Sequence, residues 1–259
     1  MTTTSPSQSS GPDLTGRRAT VTGAASGIGR AIAVHFHSLG AQVRAVDIDA
    51  DGLSALAAEH DGIIATPCDL SDLEAVDAVP ADADILVNNA GLQHVSPIES
   101  FPVDRFSFIL RLMLESPFRL IRSHLPHMYS TGWGRVVNIS SAHGLRASAF
   151  KSAYVTAKHG LEGLSKVTAL EGAPHGVTSN CINPAYVRTP LVDKQLDDQA
   201  RTHGISRERV IEEIMLTPVA VKRLVEVEEV AELAAFLCGP ASKSITGAAY
   251  TLDGGWTAH

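Results

Sequence analysis

The chain has 259 residues, 44% of them hydrophobic and 19% charged, with 21 basic and 28 acidic side chains and a formal net charge of -7. That length suits one α/β domain with a sizeable core. No basic stripe or block breaks the acidic balance, which argues against nucleic-acid binding, and no apolar run reaches the roughly 18 residues of a membrane span.

Residues 1–13 are polar and rich in Ser and Thr, with neither an apolar core nor an Arg. They read as a disordered tail, not a targeting segment. From 14 to 259, short apolar runs alternate with longer amphipathic ones. Strands are expected at 19–21, 42–46, 62–66, 85–87, 135–139, 178–182 and 250–252. Several are near-continuous in Val, Ile and Leu, as parallel strands buried on both faces are. Helices are expected at 29–38, 52–60, 72–78, 104–129, 151–173 and 228–237. This alternation predicts a single-domain α/β fold, a Rossmann-like doubly wound parallel sheet with helices on both faces. Segment 188–221 is charged and weakly periodic. It reads either as a small helical lid over a substrate or as a solvated surface excursion. Cys68, Cys181 and Cys238 are odd in number and widely spaced. That pattern fits neither a disulfide framework nor a metal site, so they read as small buried residues of a cytoplasmic protein.

The first strand runs into Thr22-Gly23-Ala24-Ala25-Ser26-Gly27-Ile28-Gly29, followed by a helix. Glycines at such a junction let the backbone approach a pyrophosphate, and the helix N-terminus adds N–H groups and positive dipole. The spacing is G-x-x-x-G-x-G, not G-x-G-x-x-G, but the strand–turn–helix context is the required one. Asp47 closes the second strand. A carboxylate there accepts hydrogen bonds from ribose hydroxyls and repels a 2′-phosphate, which favours NAD over NADP. Its competing role is a helix N-cap. Asp69, after the third strand, is expected to face the adenine. Asn88-Asn89-Ala90-Gly91 ends the fourth strand at the sheet edge where ligands bind. Its Asn side chains can brace neighbouring strands, and a purely structural turn is the alternative.

Tyr154 and Lys158 share one helix face, with Ser141 thirteen residues upstream of the tyrosine. A cation beside a phenol lowers its pKa from about 10 toward the range of acid/base catalysis. A Ser hydroxyl from a strand end can hold the substrate oxygen meanwhile. Alone, the Tyr–Lys spacing is common on helix surfaces, and the motifs around it decide its meaning.

Thr22 to Gly29, Asn88 to Gly91, Ser141, Tyr154-x-x-x-Lys158 and Asn183-Pro184 together resemble, in order, the motifs of the short-chain dehydrogenase/reductase family. The resemblance covers nearly the whole chain after the tail. It implies Tyr154 as acid/base, Lys158 holding the nicotinamide ribose, and Ser141 on the substrate oxygen. It implies cofactor contacts from Gly23, Ser26, Gly27, Ile28, Gly29, Asp47, Asp69, Leu70, Asn89, Ala90, Gly91, Pro184, Val187 and Thr189, and it requires no metal. Within the family, the stretches 90–99, 141–145, 151–154, 186–195 and 252–258 are similar to the D-3-hydroxybutyrate dehydrogenases. That similarity implies Gln93, His143, Lys151, Gln195 and Trp256 around a short hydroxy acid. Lys151 and His143 would supply charge and donors to its carboxylate, the glutamines would donate hydrogen bonds, and Trp256 would cover the methyl end. Each also has a bland structural reading. The implied activity is reversible NAD-dependent oxidation of (R)-3-hydroxybutyrate to acetoacetate by a homotetramer. The competing readings are a dehydrogenase of a neutral secondary alcohol or sugar, and a non-catalytic dinucleotide sensor. Two positions depart from the family pattern. Met113 stands where an Asn is expected in the long helix, with Ser116 too far along to replace it simply, and Ala185 stands where Gly usually follows Pro184.

Overall fold

The structure, a computed structural model, describes residues 11–258. Residues 1–10 of the expected tail lie outside the described residues, as do the side chains of Leu191, Lys194, Gln195, Asp198, Gln199, Thr202 and His203. The elements run β1 (Arg18–Thr22), α1 (Gly27–Ser38), β2 (Gln42–Asp47), α2 (Ala50–Glu59), β3 (Ile63–Pro67), α3 (Leu73–Asp77) and β4 (Ile85–Asn88). There follow α4 (Val103–Leu110), α5 (Ser116–Thr131), β5 (Gly134–Ile139), α6 (Ser152–Gly172), β6 (Val177–Pro184), α7 (Pro190–His203), α8 (Arg207–Val210), α9 (Val227–Cys238) and β7 (Ala249–Leu252).

The strands form one sheet in the order β3-β2-β1-β4-β5-β6-β7, every neighbouring pair parallel. Every residue of β4, β5 and β6 is buried, which is why their sequences lack a polar alternation. On one face α1 and α9 set Ile32, Phe36, Val230 and Ala234 into a cluster with Val21, Val43 and Ile182 of the sheet. On the other, Leu120, Ile121 and Met128 of α5 join Leu86 and Val136. Burying each large aliphatic side chain contributes about 1.5–3 kcal/mol. The strand order reverses between β1 and β4, and a crevice opens there at the carboxyl ends of the strands.

The helix expected at 104–129 is divided. A π turn, Arg111–Glu115, separates α4 from α5. Pro117 has no N–H to donate four residues back to Met113, so an unbroken α-helical ladder cannot pass. The Ser116 N–H donates instead to Arg111 O, five residues back. Segment 188–221 is helical, comprising α7, α8 and a π turn at Ile211–Met215. Val192, Leu196, Val210 and Met215 give it a small core of its own, and Arg207 pairs with Asp193 at 2.6 Å and Asp197 at 3.2 Å. Ala185 carries no left-handed strain. Phe150, at φ 68°, is the one non-glycine residue with positive φ among the described residues.

Candidate active site

The crevice encloses about 490 Å³, within the range of small-molecule sites. Its floor is the turn between β1 and α1. Gly23 (φ 67°) and Gly27 (φ 53°) are left-handed there, a conformation that costs residues with a Cβ. A Cβ on Gly29 would fall 2.1 Å from Gly23 O. Gly29 therefore permits the close approach of helix and turn, and it does not itself line the crevice, whereas Gly23, Ser26, Gly27 and Ile28 do. The Asn89 amide clamps the turn, its Nδ2 donating to Thr22 O at 2.9 Å and to Gly23 O at 3.3 Å. Asn88 Nδ2 crosses to Asn138 Oδ1 at 2.9 Å, so the Asn motif braces its neighbours as expected.

Asp47 ties the same turn to the end of β2. Its Oδ2 accepts from Ala25 N–H at 3.0 Å and its Oδ1 from Asp49 N–H at 3.1 Å. The N-cap of α2 is Asp49, which accepts from Gly52 N–H at 3.0 Å, so capping does not explain Asp47. Asp69 accepts from the backbone and hydroxyl of Ser71 at 2.8 and 2.7 Å. Asp47, Asp69, Leu70, Asn89, Ala90, Gly91, Pro184, Val187 and Thr189 all line the crevice. A cradle that Cβ atoms would fill, N–H groups at a helix start and a carboxylate at the end of β2 fit a nicotinamide dinucleotide.

Ser141 follows β5, while Tyr154 and Lys158 lie on α6, and all three line the crevice. Ser141 Oγ accepts from His143 N–H at 3.1 Å, and its hydroxyl is near enough to Tyr154 to pull the phenol pKa down. Asn183 secures this loop from β6. Its Nδ2 donates to Ser141 O at 2.9 Å and to the buried Glu162 carboxylate at 2.5 Å. Lys158 is not seated on the phenol. Its Nζ donates to Ile139 O at 2.6 Å and lies 5.7 Å from the centroid of the Tyr154 ring. Burial pushes the Tyr154 phenol up, opposed by the Ser141 hydroxyl. The expected downward pull of Lys158 is therefore not the dominant influence, because removing a phenolate from water outweighs a cation held at that range. Burial lowers Lys158 itself to about 8, against the opposing influence of Cys181 and Glu162.

At the far end of the crevice, the His143 ring stands 4.9 Å from that of Trp256 and 6.0 Å from that of Tyr154. Its Nε2 is 2.9 Å from Ser148 Oγ. Burial first, then the charge of Lys151, lowers the imidazole to about 4. His143 is thus neutral at neutral pH and brings hydrogen bonding, not the charge expected of it. Lys151 is the cation, its own pKa lowered by burial, with Nζ 5.9 Å from the Tyr186 ring. Gln93 and Trp256 line the same end. Gln195 belongs to α7, and its side chain is among those outside the described residues. Tyr186, Val192 and Leu92 also line the crevice and were not anticipated. The sequence cue for Tyr186 is its place just past β6; Val192 has none until α7 folds back. Met113 is buried with Ile109, Ala153 and Ala157, against Tyr154.

Residues 23–257 match the family profile described as Enoyl-(Acyl carrier protein) reductase. The D-beta-hydroxybutyrate dehydrogenase of Rhizobium meliloti (strain 1021) is 48% identical over 255 residues, covering 93% of this chain and 99% of that one. The protein of the same name from Cupriavidus necator (strain ATCC 17699) is 42% identical over 256 residues, covering 95% and 99%. A crystal structure of a dehydrogenase-like protein from Agrobacterium tumefaciens with bound NADP superposes with a TM-score of 0.84 at 31% identity, covering 95% of this chain and 98% of that one. With its parallel sheet, its glycine cradle and these relatives, the chain belongs to the short-chain dehydrogenase/reductase family and is an oxidoreductase that uses a nicotinamide dinucleotide.

Proposed function

We propose that the protein catalyses the reversible, NAD-dependent oxidation of (R)-3-hydroxybutyrate to acetoacetate. The observation that carries this reading is Lys151, a largely buried cation one helical turn before Tyr154, in the crevice that also holds Ser141 and His143. A carboxylate two carbons from a carbinol matches a cation set beside an acid/base pair. Two relatives named D-beta-hydroxybutyrate dehydrogenase support the same substrate.

Ser141 and Tyr154, which line the same crevice, hold the carbinol oxygen between them. Tyr154, as the phenolate, takes the hydroxyl proton and becomes the neutral phenol. A nicotinamide held by the glycine turn would supply the acceptor for the hydride that leaves the carbinol carbon. Because burial raises the Tyr154 pKa, the tyrosine depends on nearby positive charge, which Lys158 contributes from its anchor on Ile139. Lys151 pairs with the substrate carboxylate, neutral His143 adds a hydrogen bond, and Trp256 and Tyr186 enclose the methyl end. Asp47 accepts from the adenosine ribose and repels a 2′-phosphate, which favours NAD. Segment 188–221 acts as the substrate lid.

The reading extends to a cytoplasmic homotetramer. Phe118, Val167 and Leu170 leave an apolar face exposed on α5 and α6, which supports packing between copies. Light scattering that returns a monomer would remove that part.

A neutral alcohol or sugar would leave the Lys151 charge without a partner in a buried site, which disfavours that alternative. Replacing Lys151→Met tests the assignment. It should raise KM for 3-hydroxybutyrate by about 10–100-fold, the scale of a lost charge-assisted pair, with a smaller effect on kcat. An unchanged KM removes Lys151 from the substrate site and, with it, the main support for an acid substrate.

A further inference from the structure

A second, internal cavity adjoins Lys158. It encloses about 10 Å³ and is lined by Asn88, Met113, Ser116 and Lys158, by Thr22 and Asn89, which are hydrogen-bonded to the backbone, and by apolar neighbours. That is room for about one water molecule. Two lining residues each carry a buried polar atom with no hydrogen-bond partner in the protein, Asn88 Oδ1 and Ser116 Oγ. Asn88 commits its Nδ2 to Asn138 Oδ1 at 2.9 Å, which leaves its oxygen as a free acceptor. Ser116 is fully buried and opens α5 just past the π turn. The wide turn adds a residue to the helical ladder, so Ser116 reaches the Lys158 cavity, although its sequence spacing from Met113 had argued against any such role. Lys158 spends one N–H on Ile139 O and has two more to give.

We propose that this cavity holds one structural water that donates to Asn88 Oδ1, exchanges a hydrogen bond with Ser116 Oγ and accepts from Lys158 Nζ, making Ser116 and Asn88 positioning residues for that lysine. The inference rests on the reading of Lys158 as the group that assists Tyr154. Three polar partners meet the usual requirement of a buried water, and one water satisfies both orphaned atoms. Met113 supplies an apolar wall where a hydrogen-bonding side chain was expected. The polar support comes from one helical turn further along the chain and from β4.

The water also bears on the charge of Lys158, which burial has brought down to about 8. The titratable groups facing that lysine are Tyr154 and Glu162 from its own helix and Cys181 from β6. No charged side chain of the π turn or α5 lines the cavity, and β4 has none. A bound water stabilises the ammonium, so losing it moves deprotonation of Lys158 to lower pH.

The test begins with a crystal structure of the wild-type enzyme at a resolution that reveals ordered water. Density within hydrogen-bonding distance of Ser116 Oγ, Asn88 Oδ1 and Lys158 Nζ is expected. A dry cavity, or a Ser116 hydroxyl turned onto a carbonyl of the π turn, overturns the inference. Ser116→Val, which fills the cavity with methyl groups, should move the alkaline limb of the kcat profile to lower pH. Activity would fall about tenfold on that limb and about twofold at pH 7, since one pKa unit corresponds to a tenfold change in the ratio of charged to neutral lysine. A variant that folds normally by circular dichroism with an unshifted limb also overturns it. If Ser116→Val does not fold, the wild-type density decides alone. Lys158→Met, measured in parallel, separates the two readings. Full activity there defeats the role of Lys158, whereas lost activity with an unshifted Ser116→Val limb defeats only the water.

Discussion

Burial opposes ionisation of Tyr154 and Ser141 only partly offsets it, so in the proposed oxidation the phenolate that takes the carbinol proton depends on the charge of Lys158. Replacing Tyr154→Phe removes the exchangeable proton and leaves the ring. Turnover should fall by about 10²–10⁴-fold, the usual worth of a positioned acid/base, while calorimetry still registers dinucleotide binding. Binding and turnover both near wild type would contradict the assignment, and the same variant separates an enzyme from a dinucleotide sensor. Asp47→Ser removes the carboxylate at the end of β2. The ratio of kcat/KM for NAD over NADP should drop at least about tenfold, the equivalent of about 1.4 kcal/mol, and an unmoved ratio would deny Asp47 its role. Tyr154, Ser141, Lys158 and Lys151 were legible in the sequence because three of them lie within two turns of one helix. The neutrality of His143 was not, because it depends on burial beside Trp256, far away along the chain. Nor was the anchor of Lys158 on Ile139, which depends on how α6 crosses the end of β5.

At the scale of elements, the glycine turn and the π turn differ in how openly the sequence announces them. Gly29 is readable from its place in a strand–turn–helix, although its duty is close packing and not contact with ligand. Gly29→Ala would drive a methyl into Gly23 O, so the variant should lose dinucleotide binding and melt at a lower temperature than wild type. Wild-type affinity would mean that the turn can shift freely. The π turn is hidden, because apolar residues continue through 111–115 and the one cue is Pro117, which breaks the ladder after it. Phe150 is a third case. Its left-handed backbone costs about 1–2 kcal/mol for an L-residue with a bulky side chain, and its carbonyl accepts from Ser96 N–H at 2.9 Å, joining the loops that carry Lys151 and Gln93. Phe150→Asn, which tolerates that conformation, should raise the melting temperature by a few degrees. A lower melting temperature would show that contacts of the ring outweigh the strain.

Across the whole molecule, the alternation of apolar strands and amphipathic helices made the sheet legible almost strand for strand, since parallel strands buried on both faces leave an unbroken apolar signature. Segment 188–221 was legible only as an insertion, because its small core forms between residues distant in the pattern. None of the helices among the described residues is long and apolar enough to cross a membrane. Acid stability is set partly by His124, buried between sheet and α5, with Nδ1 2.8 Å from Leu120 O and a pKa lowered by burial to about 4. A histidine held neutral in the fold binds its proton more readily once unfolded. Its contribution is therefore complete above about pH 6.5 and is lost as pH falls from there toward 4, by on the order of 3 kcal/mol. His124→Gln should flatten urea-derived stability across that window, and a slope equal to wild type would contradict the assignment. The central claim is that the crevice is built for a short hydroxy acid. The most direct measurement is NAD reduction by the purified protein against a panel of hydroxy acids and neutral secondary alcohols and sugars. (R)-3-hydroxybutyrate should be turned over with the highest kcat/KM of the panel, and good activity on a neutral alcohol with none on 3-hydroxybutyrate would contradict a site built for an acid.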